Sequence, residues 1–568
     1  MTRARHTSRS MDMTTTVETS PATPERSRET RRVVFAAALG TVLEWYDFFI
    51  YGSLAVFFGG LFFPKGNESA AILASLATFG AGFVLRPFGA IVFGRLGDLV
   101  GRKKTFLVTM MIMGTATAAI GFLPTFETIG WAAPALLVLL RLLQGLAIGG
   151  EFGGAVTYIA EHSDPRRRGF MTSWLQITGT IGLLVSLGVI MVLRSSMSAE
   201  SFALWGWRVP FMLSIGLLAY SLYVRMRLEE SPVFLEMKAH GKGSRNPVKD
   251  TFGDPRTLRI VLVTIFGAVA GQAVIWYTAH FYSLQFLTAT LKLPPQSAYA
   301  YLTIALVLAT PFFVLFGWLS DLIGRKWIML TGCLLSAILF MPLFQGMAKY
   351  GNPALEEFRA GTQVVIQGGD CSEDQSFIGQ LFQPKATKPC TRARSFLAAQ
   401  GVPYTLRPQA GELQFVVAET TLAGFDEAAL RRVLVERGMP LTADPARVNA
   451  PMVVLMLFVL VLLATMVYGP MGAFLVEQFP TQVRYSGVSV ALQFGNGWIG
   501  GFAPFIATAM VVSSGDIFRG LVYTIAVALL TLVVGAFCIR DRRGLDMREP
   551  VAATETPHAA SKLAASQQ

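Results

Sequence analysis

Gly94-Arg95-Leu96-Gly97-Asp98-Leu99-Val100-Gly101-Arg102-Lys103-Lys104 is a short, charged, glycine-punctuated turn between two long apolar runs. The pattern returns as Gly317-Trp318-Leu319-Ser320-Asp321-Leu322-Ile323-Gly324-Arg325-Lys326. Both copies read G-x-x-x-D-x-x-G-R-K, and both lie between segments of membrane-spanning length. Two matching turns in matching contexts mark an internal duplication.

The chain has 568 residues, 53% hydrophobic and only 15% charged, with a mean hydropathy of +0.50. Repeated runs of about 20 apolar residues read as transmembrane helices. The net charge of +12 at first suggests a nucleic-acid partner. The basic residues, however, cluster in short loops between apolar runs, which is the positive-inside pattern, so no nucleic-acid binding is expected. Twelve spans are expected near 33–58, 69–93, 105–123, 131–160, 170–193, 207–226, 259–289, 297–320, 327–347, 451–475, 486–512 and 518–539. With an even count both termini are cytoplasmic. The cytoplasmic loops then hold Arg102, Lys103, Arg166, Arg167, Arg168 and Arg325, and a central loop with Arg225, Lys238 and Lys249 joins the halves.

The expected organisation is a disordered cytoplasmic tail (1–32), a six-helix half (33–226), a cytoplasmic linker (227–258), helices seven to nine (259–347), a periplasmic insert (348–450), helices ten to twelve (451–540) and a cytoplasmic tail (541–568). The insert is located by a second repeated landmark, Glu161 with Gly169 after span four and Glu477 with Gly487 after span ten. The second half is much longer between the signature turn and this landmark, and the excess is polar. By parity the insert faces outward. Strand-like Phe415-Val416-Val417 and helix-like 427–436 predict a small α/β unit. Cys371 and Cys390 both fall in it and either form a disulfide in an oxidising compartment or remain free thiols. The insert has no histidine and no visible four-ligand set, so no metal site is expected.

The paired turns resemble the signature loops of the major facilitator superfamily. Leu43-Glu44-Trp45-Tyr46-Asp47-Phe48-Phe49, Arg86-Pro87-Phe88-Gly89, Arg141-Leu142-Leu143-Gln144-Gly145 and Gly150-Glu151-Phe152-Gly153-Gly154 narrow the resemblance. Together they resemble the metabolite:proton symporters, the branch of proline/betaine, α-ketoglutarate, citrate and shikimate permeases. The resemblance implies an all-α membrane fold of two pseudo-symmetric six-helix halves, with spans one, four, seven and ten lining a central cavity. It also implies a conformational latch at Gly94, Asp98, Gly101, Arg102 and Lys103, and again at Gly317, Asp321, Gly324, Arg325 and Lys326. Asp98 is suited to a neighbouring helix N-terminus and to a pair with Arg102.

Ionisable groups inside a span are functional candidates by default. Glu44, Asp47 and Tyr51 are three and four apart and share one helical face. The two acids either carry a transported proton or pair with a base to hold helices together. Arg141 shares a face with Gln144 and offers a planar fork suited to a carboxylate. It either binds an anionic substrate or neutralises Glu44 or Asp47. Glu151 is a second proton candidate, or a structural partner of an arginine. Gln272 and His280 share a face of span seven with Trp276, Gln493 and Asn496 share one of span eleven, and Tyr468 is the clear polar candidate in span ten. Such groups either bond to neighbouring helices or line a wet cavity. Gly145, Gly149 and Gly153, with Gly150 and Gly154, are spaced for close helix contact.

These readings converge on secondary active transport, proton-coupled uptake of a small polar metabolite across a bacterial inner membrane. The expected cargo is a mono- or dicarboxylate or a shikimate-like acid, carried by a monomer in the lipid bilayer. No cofactor is expected; the coupling ion is a proton. A proline/betaine-type zwitterion symporter is the rival within the class. A ligand-sensing membrane receptor using the outer insert is the rival outside it. An enzyme is not expected, because no nucleophile–base set or nucleotide loop appears.

Overall fold

The computed structural model describes residues 24–63, 78, 80–227, 230–240, 246–368, 389–407 and 411–542. Numbering only the long helices, the first half comprises α1 (Pro24–Phe62), α2 (Arg86–Val100), α3 (Arg102–Phe122), α4 (Ala132–His162), α5 (Arg168–Ser196) and α6 (Gly206–Met226). The second comprises α7 (Pro255–Thr290), α8 (Pro295–Ile323), α9 (Arg325–Gly351), α10 (Ala450–Gln478), α11 (Thr481–Ser514) and α12 (Leu521–Cys538). Among the described residues, 10 helices, α3 to α12, are long and apolar enough to cross a membrane.

Local chemistry sets the helix boundaries. The signature turns fold because Gly101 and Gly324 take φ of 126° and 106°, values that side-chain-bearing residues rarely adopt. Each glycine ends one helix and lets the next start immediately, so α2 passes to α3, and α8 to α9, in one tight corner. Asp254 caps α7, its carboxylate accepting from the Thr257 hydroxyl at 2.8 Å and the Thr257 amide at 3.2 Å. Those bonds, that to the hydroxyl first, hold the Asp254 carboxyl below its usual range. The helix therefore begins at Pro255, ahead of the expected 259.

Glycine also lets α2 and α4 touch backbone to backbone. A Cβ added at Gly149 would collide with the Arg86 carbonyl oxygen. This contact locks the backbone that carries Arg86, which matters for the site below.

Three sequence expectations need correction. The chain is already helical from Pro24, so the end of the expected disordered tail (1–32) belongs to α1. Its polar residues lack an apolar signal but are compatible with helix, and hydropathy detects burial rather than helicity. Residues 227–258 are not a plain linker, because they contain the short helices Pro232–Ala239 and Pro247–Phe252. Arg225, counted as a loop charge, is 1% exposed in the last turn of α6.

The insert folds around its own small core. After the helix Pro353–Gly361 come β1 (Val364–Gln367), the helix Pro389–Ala399, β2 (Thr405–Arg407), β3 (Gln414–Val417), β4 (Thr420–Ala423) and the helix Glu427–Glu436. The sheet order is β2-β1-β3-β4, with β1 parallel to β2 and the other pairs antiparallel. Val364, Ile366, Phe415 and Val417 alternate inward to meet Leu430 and Leu434. The expected strand and helix are both present. Cys390 is buried and disulfide-bonded, while its expected partner Cys371 lies outside the described residues.

The insert sits on the second half. Buried Arg394 donates to the Ser513 carbonyl at 2.7 Å and to the Tyr404 hydroxyl at 3.1 Å, and that hydroxyl in turn donates to the Val512 carbonyl. Arg359 reaches the Thr290 carbonyl at 3.2 Å, and Lys292 the Ala399 carbonyl at 2.6 Å. Hydrogen bonds from a charged donor contribute about 1.5–3 kcal/mol. Arg394→Ala should therefore raise amide hydrogen exchange across 389–407 while α9 and α10 keep their protection; unchanged exchange there would contradict the anchoring.

Candidate functional site

A cavity lies between the two halves. Trp45, Arg86, Ile148 and Phe152 line it from the first half. Gln272, Trp276, Tyr277, Tyr468, Leu492, Gln493 and Asn496 line it from the second. The helices on the second side depart from regular α geometry there. α7 has π-helical turns at Ile265–Val269 and Thr278–Tyr282, on either side of Gln272, Trp276 and Tyr277, and α11 has one at Phe494–Gly500 that contains Asn496. Such turns redirect side chains and are frequent at functional sites.

Arg86 is the cation of this cavity. It is 1% exposed, with its guanidinium 4.4 Å from the Phe83 ring centroid and 4.7 Å from that of Phe48. Nη1 donates to the Tyr277 hydroxyl at 3.4 Å, while Nε and Nη2 have no hydrogen-bond partner. Those two atoms form the edge of the fork that a carboxylate meets with both oxygens. Across the cavity, Gln493 donates to the Ile148 carbonyl at 3.1 Å, tying the halves together. Its Oε1 and that of Gln272 have no donor. The walls are aromatic: Phe152 and Tyr468 are parallel at 6.2 Å, and Trp45 lies 6.4 Å from Trp276. The cavity therefore presents one positive charge, two free acceptors and flat apolar faces.

Four expected residues, Gln272, Tyr468, Gln493 and Asn496, line the cavity. The others lie elsewhere. Arg141 does not line it; its guanidinium sits 3.6 Å over the Tyr51 ring within the first half and donates to Gln144 Oε1 at 2.9 Å. Gln144 passes the chain on to the Thr117 hydroxyl at 2.7 Å. Asp47 accepts from the Ser214 hydroxyl at 2.5 Å. Arg141 and Asp47 thus belong to a polar knot between α1, α3, α4 and α6. Glu44 and Glu151 meet at one base: Arg225 Nη1 is 3.1 Å from Glu44 Oε1 and in direct contact with Glu151 Oε1. His280 stacks on Trp276 at 4.3 Å, and its Nδ1 lies 2.8 Å from the Trp276 carbonyl.

Sequence reasoning missed Arg86 and Arg225 as site residues. Arg86 was visible as a charge inside the second expected span, next to a proline, and the same intramembrane criterion that selected Arg141 applied to it. Arg225 offered only its position at the edge of an apolar run.

The signature turns form two matched clusters that cross between the halves. Asp98 accepts from the Tyr485 amide at 3.2 Å, the Ser486 amide at 2.9 Å and the Ser486 hydroxyl at 2.7 Å. Asp321 accepts from the Gly169 amide at 2.9 Å and the Phe170 amide at 2.8 Å. Each aspartate occupies a helix start, where amides lack intrahelical partners and the dipole favours an anion. Arg102 lies 3.5 Å from Asp98 and 3.7 Å from Glu161, which Arg484 reaches at 3.0 Å. In the second copy Arg325 lies 2.9 Å from Asp321 and 3.1 Å from Glu477, which Arg168 reaches at 2.9 Å. Lys103 and Lys326 close neighbouring helix ends, donating to the carbonyls of Met226 at 2.9 Å and Ala536 at 2.7 Å. Gly94 and Gly317 allow close approach; a Cβ at Gly94 would lie 2.9 Å from Ser486 Cα, and one at Gly317 would strike Ser173.

Paired helical halves around a central cavity, with a duplicated charge cluster bridging them, define a membrane transporter of the major facilitator class. The fold agrees: the chain superposes on the proton:xylose symporter XylE bound to 6-bromo-6-deoxy-D-glucose with a TM-score of 0.62, over 92% of this chain and 98% of that one, at 15% identity. Residues 33–361 match the family described as sugar (and other) transporter, and the chain belongs to that family. It is 36% identical over 326 residues to the shikimate transporter of Escherichia coli (strain K12), spanning 56% of this chain and 72% of that relative. To the inner membrane metabolite transport protein YhjE of the same organism it is 38% identical over 340 residues, 59% and 76% of the two chains. To the proline/betaine transporter of that organism it is 35% identical over 324 residues, 55% and 64%. The protein is a transporter and not an enzyme.

If the Asp98 cluster holds the halves closed on one side, Asp98→Asn should weaken the hold by about 1–3 kcal/mol. The maximal uptake rate should change several-fold while the half-saturating concentration moves little. Initial-rate kinetics with a labelled substrate check this, and a shift in affinity alone would count against the latch.

Proposed function

We propose that the protein is a proton-coupled symporter of a small monocarboxylate, with Arg86 holding the carboxylate in the central cavity. The observation that carries this reading is the buried Arg86 guanidinium, which lines the cavity and whose Nε and Nη2 have no protein partner. A buried, unmatched cation is costly, and an anionic cargo would match it. Arg141 has the same two atoms unbonded but does not line the cavity. The free acceptors on Gln272 and Gln493 suit hydroxyl or amine hydrogens on the cargo, and the aromatic walls suit a flat or ring-shaped body. A hydroxylated cyclic acid of the shikimate type satisfies all three features.

The cavity would load from outside and empty inside as the halves rock, a cycle in which twelve spans place both termini in the cytoplasm and the insert outside. The latch clusters bridge the halves on the expected cytoplasmic side, so the conformation at hand is read as closed inward. Uptake of an anion against an inside-negative potential needs an accompanying cation, at about 2.3 kcal/mol per charge per 100 mV. The buried acids of the first half supply candidates for the proton.

One observation favours a second reading. The aromatic lining of Trp45, Trp276 and Tyr468 would also take a quaternary ammonium by cation–π attraction, as a betaine-type cargo requires. Such a group has no hydrogen to donate, and would leave the two glutamine acceptors unmet.

The test is uptake by proteoliposomes under an inward proton gradient, with labelled shikimate, α-ketoglutarate, proline, betaine and xylose. Accumulation of a monocarboxylate, abolished by a protonophore, is expected. Arg86→Lys keeps the charge but loses the fork and should lower uptake about 10- to 100-fold. Full activity in Arg86→Gln would overturn the assignment of Arg86.

A further inference from the structure

We propose that Glu44, Glu151 and Arg225 form the proton site of the transport cycle, the two carboxyl groups sharing one exchangeable proton on a single guanidinium. The inference rests on the symport reading above and names the group that carries its proton.

Charge counting singles the cluster out. The Asp98 latch has two acids, Asp98 and Glu161, and two bases, Arg102 and Arg484. The Asp321 latch has Asp321 and Glu477 against Arg168 and Arg325. Both balance. The third cluster holds two acids on one base, all three less than a tenth exposed. Glu151 Oε2, Arg225 Nε and Arg225 Nη2 have no hydrogen-bond partner, and among the described residues no second cation pairs with either acid. Two carboxylates against one nitrogen repel each other unless one binds a proton.

Among the described residues, the elements packed around the cluster supply no further cation. From α3 the Phe106 ring lies 3.6 Å from the Arg225 guanidinium, and from α1 Gly40 gives it room. From α11 of the other half Tyr485 approaches, its hydroxyl donating to the Gly150 carbonyl at 2.9 Å. Asp98 and Arg102, which also act on Tyr485, are matched within their own latch. Asp47 is distinct: it is held by the Ser214 hydroxyl and faces the charge of Arg141.

Placement links this site to cargo and to movement. Glu44 directly precedes Trp45, and Glu151 directly precedes Phe152, and both aromatic residues line the cavity. The amide of Tyr485 binds Asp98 in the latch while its ring edges the cluster. The charges of cavity and cluster are also complementary. Empty, Arg86 contributes one positive charge and the deprotonated cluster one negative. Loaded, the cargo carboxylate neutralises Arg86 and the proton neutralises the cluster. In either state the sum is zero, whereas cargo alone or proton alone leaves a net charge in the bilayer. One proton enters and leaves with each monocarboxylate.

The test compares Glu44→Gln, Glu151→Gln and Asp47→Asn in proteoliposomes, with shikimate, or whichever panel compound the wild type accumulates, as the probe. Each glutamine variant leaves Arg225 matched by one remaining acid. Both should lose proton-driven accumulation to the same extent, settling at the external concentration, while probe already inside still exchanges for labelled probe outside. Accumulation at the wild-type level in either glutamine variant, or its loss in Asp47→Asn alone, would overturn the proposal. A second measurement needs neither transport nor a variant. Infrared pH-difference spectra of the purified wild type grown with carboxyl-13C-glutamate should contain a protonated-carboxyl band that moves with the label, and its absence overturns the proposal. A wild type that carries no compound of the panel while retaining that band would defeat the symport reading and leave the proton site standing.

Discussion

A charge placed inside a membrane-spanning bundle must be matched there, because neither lipid nor a dry helix interface replaces its water. This constraint organises the molecule. The two latches meet it within themselves, each pairing two acids with two arginines and handing its aspartate to the free amides of a helix start in the other half. Those contacts bridge the two halves of the bundle, each pairing its own charges. The central cavity and the Glu44–Arg225–Glu151 cluster do not meet it within themselves, and the proposed chemistry resides in that mismatch.

Backbone geometry makes the arrangement possible. Positive φ at Gly101 and Gly324 folds each signature turn tightly enough to bring its aspartate and arginine to one face. The glycines of α4 let α2 approach until backbones touch, which fixes Arg86 at the cavity wall. On the opposite side, π-helical turns flank Gln272 and Trp276 in α7 and contain Asn496 in α11, and all three residues line the cavity. Rigid placement of few polar groups on apolar walls is how small-molecule sites achieve orientation.

The insert follows different physics. Its core is a four-stranded sheet with helices against it, and its anchors run to carbonyls at the ends of α7 and α11. Buried Arg394 donates to the Tyr404 hydroxyl and the Ser513 carbonyl. The family match ends at Gly361, where the last helix before β1 stops.

Hydropathy, the duplicated turn and charge placement were enough to read a helical membrane bundle of the transporter class. These are local or periodic properties, and a linear chain displays them directly. The strand at 415–417 and the helix at 427–436 were legible for the same reason. The cation that lines the cavity was not. Arg86 and Arg141 are both intramembrane arginines in apolar context, and only the packing of α2 against α4 decides that the first faces the cavity and the second faces Tyr51. Glu44 and Glu151 could be read as candidates one at a time, yet their sharing of Arg225 joins three helices distant in sequence. The sequence by itself determined that Glu44, Asp47, Arg141 and Glu151 would lie within the bundle, because composition and spacing place them in apolar spans, whereas the burial of Arg102, Arg168, Arg225 and Arg325 at the span ends came only with packing. Which charges meet, and which are left unmatched, was decided by tertiary structure, because electrostatic balance depends on distances across helices that no spacing along one helix contains.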